Sequence, residues 1–82
     1  MKVQEVIYAA IAKLNAENGS DIPQTPDTEL FGPTSPVDSL GLITILMDVE
    51  TETGVALTDD PAFEEVPWRT VASLTDYVAK RL

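Results

Sequence analysis

A chain of 82 residues is long enough for one domain around one modest core, and a hydrophobic content of 44% lies well above that of chains that stay disordered. Its 14 acidic and 5 basic residues leave a net charge of −9, which argues against nucleic acid and anionic membrane surfaces, since both attract Lys and Arg. Cysteine and histidine are both absent, which removes disulfides, thiolate metal sites, cysteine nucleophiles and the usual base that activates a serine. Partners with basic docking patches are the natural expectation for such a charge, although acidic residues also serve solubility alone. The opening Met1-Lys2-Val3-Gln4-Glu5 lacks the apolar stretch of a signal peptide, and no run approaches membrane-spanning length. The expectation is a soluble, cytoplasmic monomer.

Val3, Ile7, Ala10, Ile11 and Leu14 recur at helical spacing, with Glu5 and Lys13 off that stripe, and predict a first helix over 3–17. Asn18-Gly19 supplies its stop, because both residues tolerate the left-handed conformation of a C-terminal cap. Prolines at 23, 26, 33 and 36 then forbid any extended helix over 20–37. Within this connection Leu30-Phe31-Gly32 reads as an apolar plug that tucks into the core as one short turn. A loop this long either counts against the assignment or marks a functional segment. The second reading is preferred, because the loop leads directly into the most informative motif.

Asp38 is a good N-cap for a second helix, which runs until Thr53-Gly54 and carries a core stripe of Leu42, Ile45, Leu46 and Val49. After a link containing Val55 and Leu57, Asp59-Asp60-Pro61 opens a short third helix anchored by Phe63 and Val66 and closed by Pro67. Trp68 reads as a packed corner. Thr70 caps the last helix, where Val71, Leu74 and Val78 face inward and Tyr77 flanks them. The predicted architecture is all-α: one domain over 1–82, a small bundle of three main helices and one short one with a long first connection.

The chemistry concentrates in Val37-Asp38-Ser39-Leu40-Gly41-Leu42. This block sets a primary hydroxyl at the first turn of a helix, where free backbone N–H groups and the helix dipole favour an attached anion. Read alone, Asp38 and Ser39 are ordinary helix-start residues, and the bare tripeptide favours that reading. A hydrolase nucleophile block is excluded, for the first glycine of G-x-S-x-G is missing and there is no histidine to activate the serine. Asp59, Asp60, Glu64 and Glu65 follow no calcium-loop pattern, so no specific metal site is expected there.

Taken together, the order and spacing of Leu30-Phe31-Gly32, Asp38-Ser39-Leu40, Thr53-Gly54-Val55 and Thr70-Val71-Ala72-Ser73-Leu74 resemble the acyl carrier proteins over nearly the whole chain. The resemblance implies a protein without catalysis of its own, active in fatty-acid or polyketide-type biosynthesis. Ser39 would carry a 4′-phosphopantetheine arm derived from coenzyme A, flanked by the motif residues Asp38 and Leu40. Asp38 would help to position the metal and cofactor of a phosphopantetheinyl transferase. Acyl-loading and acyl-processing enzymes would be the other partners. Ile45, Leu46, Val49, Phe63 and Leu74 would line a shelter for the acyl chain. An aminoacyl or peptidyl carrier is the alternative within the family; an unmodified helical interaction module is the alternative outside it.

A second apolar stripe on the second helix, Leu40, Ile43 and Met47, lies away from the core stripe. Read with the resemblance, it is a docking patch, with Asp48, Glu50 and Glu52 as acidic neighbours for a basic partner. The other reading packs it under the long loop or the third helix. The best-known fatty-acid carriers have several acids at the start of this helix, whereas Gly41, Leu42, Thr44 and Ile45 are uncharged here. That departure points to a specialised rather than a housekeeping carrier. Gly41 either permits a close approach by the arm or a partner, or is merely tolerated near a helix end.

Overall fold

The computed structural model describes residues 2–32, 34–57 and 69–82. Three helices make up its regular structure: α1 (Val3–Asn18), α2 (Ser39–Thr53) and α3 (Val71–Ala79). The predicted first and second helices are α1 and α2, and the predicted last helix is α3. The predicted short third helix, with Phe63, Val66 and Trp68, lies outside the described residues, as do the acids at 59, 60, 64 and 65.

Each helix is set by local chemistry. In α1 the buried residues are Val3, Ile7, Ala10, Ile11 and Leu14, the stripe that the spacing predicts. Gly19 adopts φ 64° at the end of α1 and returns its N–H to Asn15 O, and Gly54 closes α2 in the same way at φ 75°. Thr70 begins α3 by accepting the Ser73 N–H on its hydroxyl at 3.1 Å.

Helix α1 packs against both α2 and α3, so it forms the spine of the bundle. The buried side chains join into one hydrophobic cluster, with Ile7, Ile11, Ile45, Leu46, Leu57 and Leu74 fully enclosed. Enclosing each such side chain stabilises the fold by about 1.5–3 kcal/mol relative to leaving it in water.

The long first connection is ordered by side chains rather than by helix or sheet. Asn15 on α1 grips Ile22 at both polar groups: its Nδ2 donates to Ile22 O at 3.1 Å, and its Oδ1 accepts the Ile22 N–H at 2.9 Å. The buried Thr28 donates its hydroxyl to Pro23 O at 2.7 Å, which closes a turn. Further on, the chain pairs with the start of α3. Leu30 N donates to Arg69 O at 2.6 Å and Val71 N to Thr28 O at 3.0 Å, around an isolated antiparallel bridge between Glu29 and Thr70.

That pairing corrects the expectation for the apolar plug. The segment is strand-like, and successive side chains of an extended chain point to opposite sides. Thr28 and Leu30 are therefore buried while Glu29 and Phe31 are exposed, Phe31 at 45%. Leu30 alone is the plug, and no helical turn forms there.

Candidate functional site

The approach to α2 is built by Ser35. Its hydroxyl donates to Glu29 O at 2.7 Å and accepts the Val37 N–H at 3.0 Å, which folds the chain back across Pro36. Val37 is buried, and Asp38 follows in extended conformation as the N-cap of α2. Its Oδ1 accepts the Gly41 N–H at 2.6 Å, while its carbonyl accepts the Leu42 N–H at 2.9 Å. Ser39 is then the first residue of α2, and it is exposed.

The four serines differ in what their hydroxyls do. Ser20 donates to Asn15 Oδ1 at 2.8 Å, Ser35 bridges Glu29 and Val37, and Ser73 meets the Thr70 hydroxyl at 3.0 Å. Of these four serines, only Ser39 has an exposed hydroxyl with no hydrogen-bond partner. The N–H groups of Ser39 and Leu40 likewise have no acceptor, as expected in a first helical turn. An acyl-accepting or phosphoryl-accepting oxygen placed here is reachable from solvent, and a negative charge attached to it would face two free donors.

Two clefts open at the start of α2, and Ser39 lines the first of them. One of about 490 Å³ lies between Leu30, Phe31 and Gly32 of the first connection and Val37, Ser39 and Leu42. The other, about 500 Å³, runs between Leu14 and Glu17 of α1 and Leu40, Gly41 and Thr44 of α2. Asp38 borders both. A larger groove of about 590 Å³ lies between α1 and the second half of α2, holds the Lys13–Asp48 pair and does not include Ser39.

Gly41 is explained by packing. A methyl group on it would stand 3.0 Å from Asp38 Oδ1, 3.1 Å from Leu14 Cδ2 and 3.2 Å from Val37 Cγ1. The close approach it permits is that of α1, not that of a partner.

On α2 the core stripe Leu42, Ile45, Leu46 and Val49 is buried, whereas Leu40 is 74%, Ile43 43% and Met47 56% exposed. Two of the three acids predicted beside this second stripe, Asp48 and Glu50, are engaged within the chain. Asp48 Oδ1 lies 3.8 Å from Lys13 Nζ on α1, and its Oδ2 is buried without a partner among the described residues. Glu50 Oε2 accepts the Leu57 N–H at 3.1 Å, tying the end of α2 to the link that follows. Glu52 is exposed. Of the residues expected to shelter an acyl chain, Ile45, Leu46, Val49 and Leu74 are fully enclosed in the core, and Phe63 lies outside the described residues.

Two residues that shape the site went unnoticed in the sequence. Ser35 carried a usable signal, a serine two positions before the residue whose N–H it accepts and next to a proline. Asn15 carried none, because its partner Ile22 belongs to a different element.

No family model, no curated protein and no solved structure matches this chain.

Proposed function

We propose that this chain is a discrete acyl carrier protein whose Ser39 accepts a 4′-phosphopantetheine arm from coenzyme A. The observation that carries the reading is the Ser39 hydroxyl: it is exposed, without a hydrogen-bond partner among the described residues, and set at the first turn of α2 between Asp38 and Leu40. The surroundings suit the group. The free N–H donors of Ser39 and Leu40 favour a phosphodiester, and the adjoining cleft has apolar walls from Leu30, Val37 and Leu42. The arm, when bound, supplies a terminal thiol that holds an acyl group as a thioester.

In the attachment step Ser39 Oγ bonds to the phosphorus that bears the pantetheine. The pyrophosphate P–O bond of coenzyme A breaks, adenosine 3′,5′-bisphosphate leaves, and the serine proton passes to a base of the transferase. This chain has no histidine or cysteine to do that itself, so its part is to present the hydroxyl. Asp38 holds the helix start with Oδ1 and leaves its second oxygen for the metal of the transferase. The absence of acids between Ser39 and Met47, a departure from the best-known fatty-acid carriers, supports a specialised rather than a housekeeping pathway.

Incubating folded protein with coenzyme A, Mg²⁺ and a promiscuous phosphopantetheinyl transferase tests the reading by intact mass. One phosphopantetheine is expected, mapped to Ser39 and lost in Ser39→Ala, with Ser20→Ala, Ser35→Ala and Ser73→Ala still modified. A folded, initially unmodified protein that several transferases leave unchanged is instead an interaction module that is never modified.

A further inference from the structure

We infer that Arg69 is a phosphate-positioning residue: from the Gly32 wall of the Ser39 cleft, its guanidinium holds the phosphodiester that joins the arm to the serine. The inference rests on the carrier reading and adds a side chain that lies thirty residues outside the Asp38-Ser39-Leu40 motif. Arg69 is brought to the cleft by the pairing that orders the first connection. Its carbonyl accepts the N–H groups of Leu30 at 2.6 Å and Phe31 at 3.4 Å, so the residue is fixed to that wall of the cleft. Its side chain then lies against Gly32, with Nη2 3.9 Å from where a Cβ on that residue would stand. Gly32 adopts φ 125°, which L residues rarely do, and its missing side chain leaves the guanidinium close to the backbone. Gly32 and Ser39 line the same cleft.

In a chain with 14 acids and 5 bases, a cation without a carboxylate stands out. Lys13 lies beside Asp48, Lys80 pairs with Asp76 at 2.9 Å, and Arg81 covers the ring of Tyr77. Arg69 is exposed and makes no ion pair among the described residues. Two acids close to it in the fold are turned to other donors. Glu29, bridged to Thr70, accepts the Thr34 hydroxyl, and Asp38 at the cleft accepts the Gly41 N–H. A phosphodiester on Ser39 carries one negative charge on two unesterified oxygens. The N–H groups of Ser39 and Leu40 suit one of them, and the parallel donors of a guanidinium suit the other. Held from both sides, the root of the arm is fixed to α2 and to the first connection at once, which sets the direction in which the arm leaves the surface.

Phosphorus NMR and melting curves of the protein with and without the arm on Ser39 decide the matter. The phosphodiester signal of the folded wild type should differ from that of the same protein unfolded in urea. In Arg69→Gln it should move toward the unfolded position and narrow, and the rise in Tm on attaching the arm should shrink. Arg69→Lys keeps the charge but not the paired donors, so both readings should fall between those of wild type and Arg69→Gln. Lys80→Gln removes an equal charge at the end of α3 and should match the wild type. Arg69 contributes only its backbone to the pairing with Leu30, so both of its variants are expected to fold, as melting without the arm will report. A phosphorus signal and a Tm rise in Arg69→Gln equal to those of the wild type overturn the inference and leave the carrier reading standing. A folded wild type that no transferase modifies overturns both.

Discussion

The carboxylate of Asp38 accepts the backbone N–H of Gly41 at 2.6 Å, so the residue before Ser39 also decides where α2 begins. The same Oδ1 lies within 3.0 Å of where a side chain on Gly41 would start. Cap, glycine and α1 are thereby locked together around the serine. A change at any of them reaches the presentation of its hydroxyl.

Asp38→Ala removes the cap and is expected to cost about 1 kcal/mol, lowering Tm by about 4–8 °C. Asparagine caps a helix about as well as aspartate, so Asp38→Asn should melt close to the wild type. Under the carrier reading Asp38→Asn is nevertheless modified more slowly, because the second carboxylate oxygen has lost its charge. Melting curves and transferase rates on the two variants separate the structural role from the electrostatic one. Equal modification rates for Asp38→Asn and wild type would confine Asp38 to capping.

Gly41→Ala sets two effects against each other. Helix propensity favours alanine by at most about 1 kcal/mol, and by less this close to a helix end. The new methyl must displace Asp38 Oδ1, Leu14 Cδ2 and Val37 Cγ1 together, and overpacking of that kind costs about 1–3 kcal/mol. The expected outcome is a lower midpoint in chemical denaturation. A midpoint at or above that of the wild type would show that α1 can shift away from α2 freely.

Ile43→Asp and Leu46→Asp test the two faces of α2. Leu46 is fully enclosed, and an unpaired charge there should abolish the cooperative melt followed by circular dichroism. Ile43 is 43% exposed, so its carboxylate can stay hydrated and the helical signal should survive, with modification of Ser39 slowed. If Ile43→Asp unfolds as well, that side chain belongs to the core.

The core faces of α1 and α2 were legible in the sequence, whereas on α3 Tyr77, expected to flank the inward stripe of Val71, Leu74 and Val78, is buried with them. Val3, Ile7, Ala10, Ile11 and Leu14 on α1, and Leu42, Ile45, Leu46 and Val49 on α2, follow from helical period alone. The ends at Asp38, Thr70, Gly19 and Gly54 follow from capping, which joins residues a few positions apart. Tertiary contacts decided the rest, because they join residues that no local pattern relates. Pairing of the first connection with residues 69–72 buries Leu30 and turns Phe31 outward. Asn15 orders the connection through Ile22, seven residues further along the chain. The approach of α1 explains Gly41 through Leu14 and gives Asp48 its partner in Lys13. Which serine keeps a free hydroxyl was likewise settled by the fold, for Ser20 and Ser35 are held by Asn15 and Glu29, five and six residues away. Period and capping act within a few residues of chain, whereas these choices depend on which surfaces meet once the helices have packed.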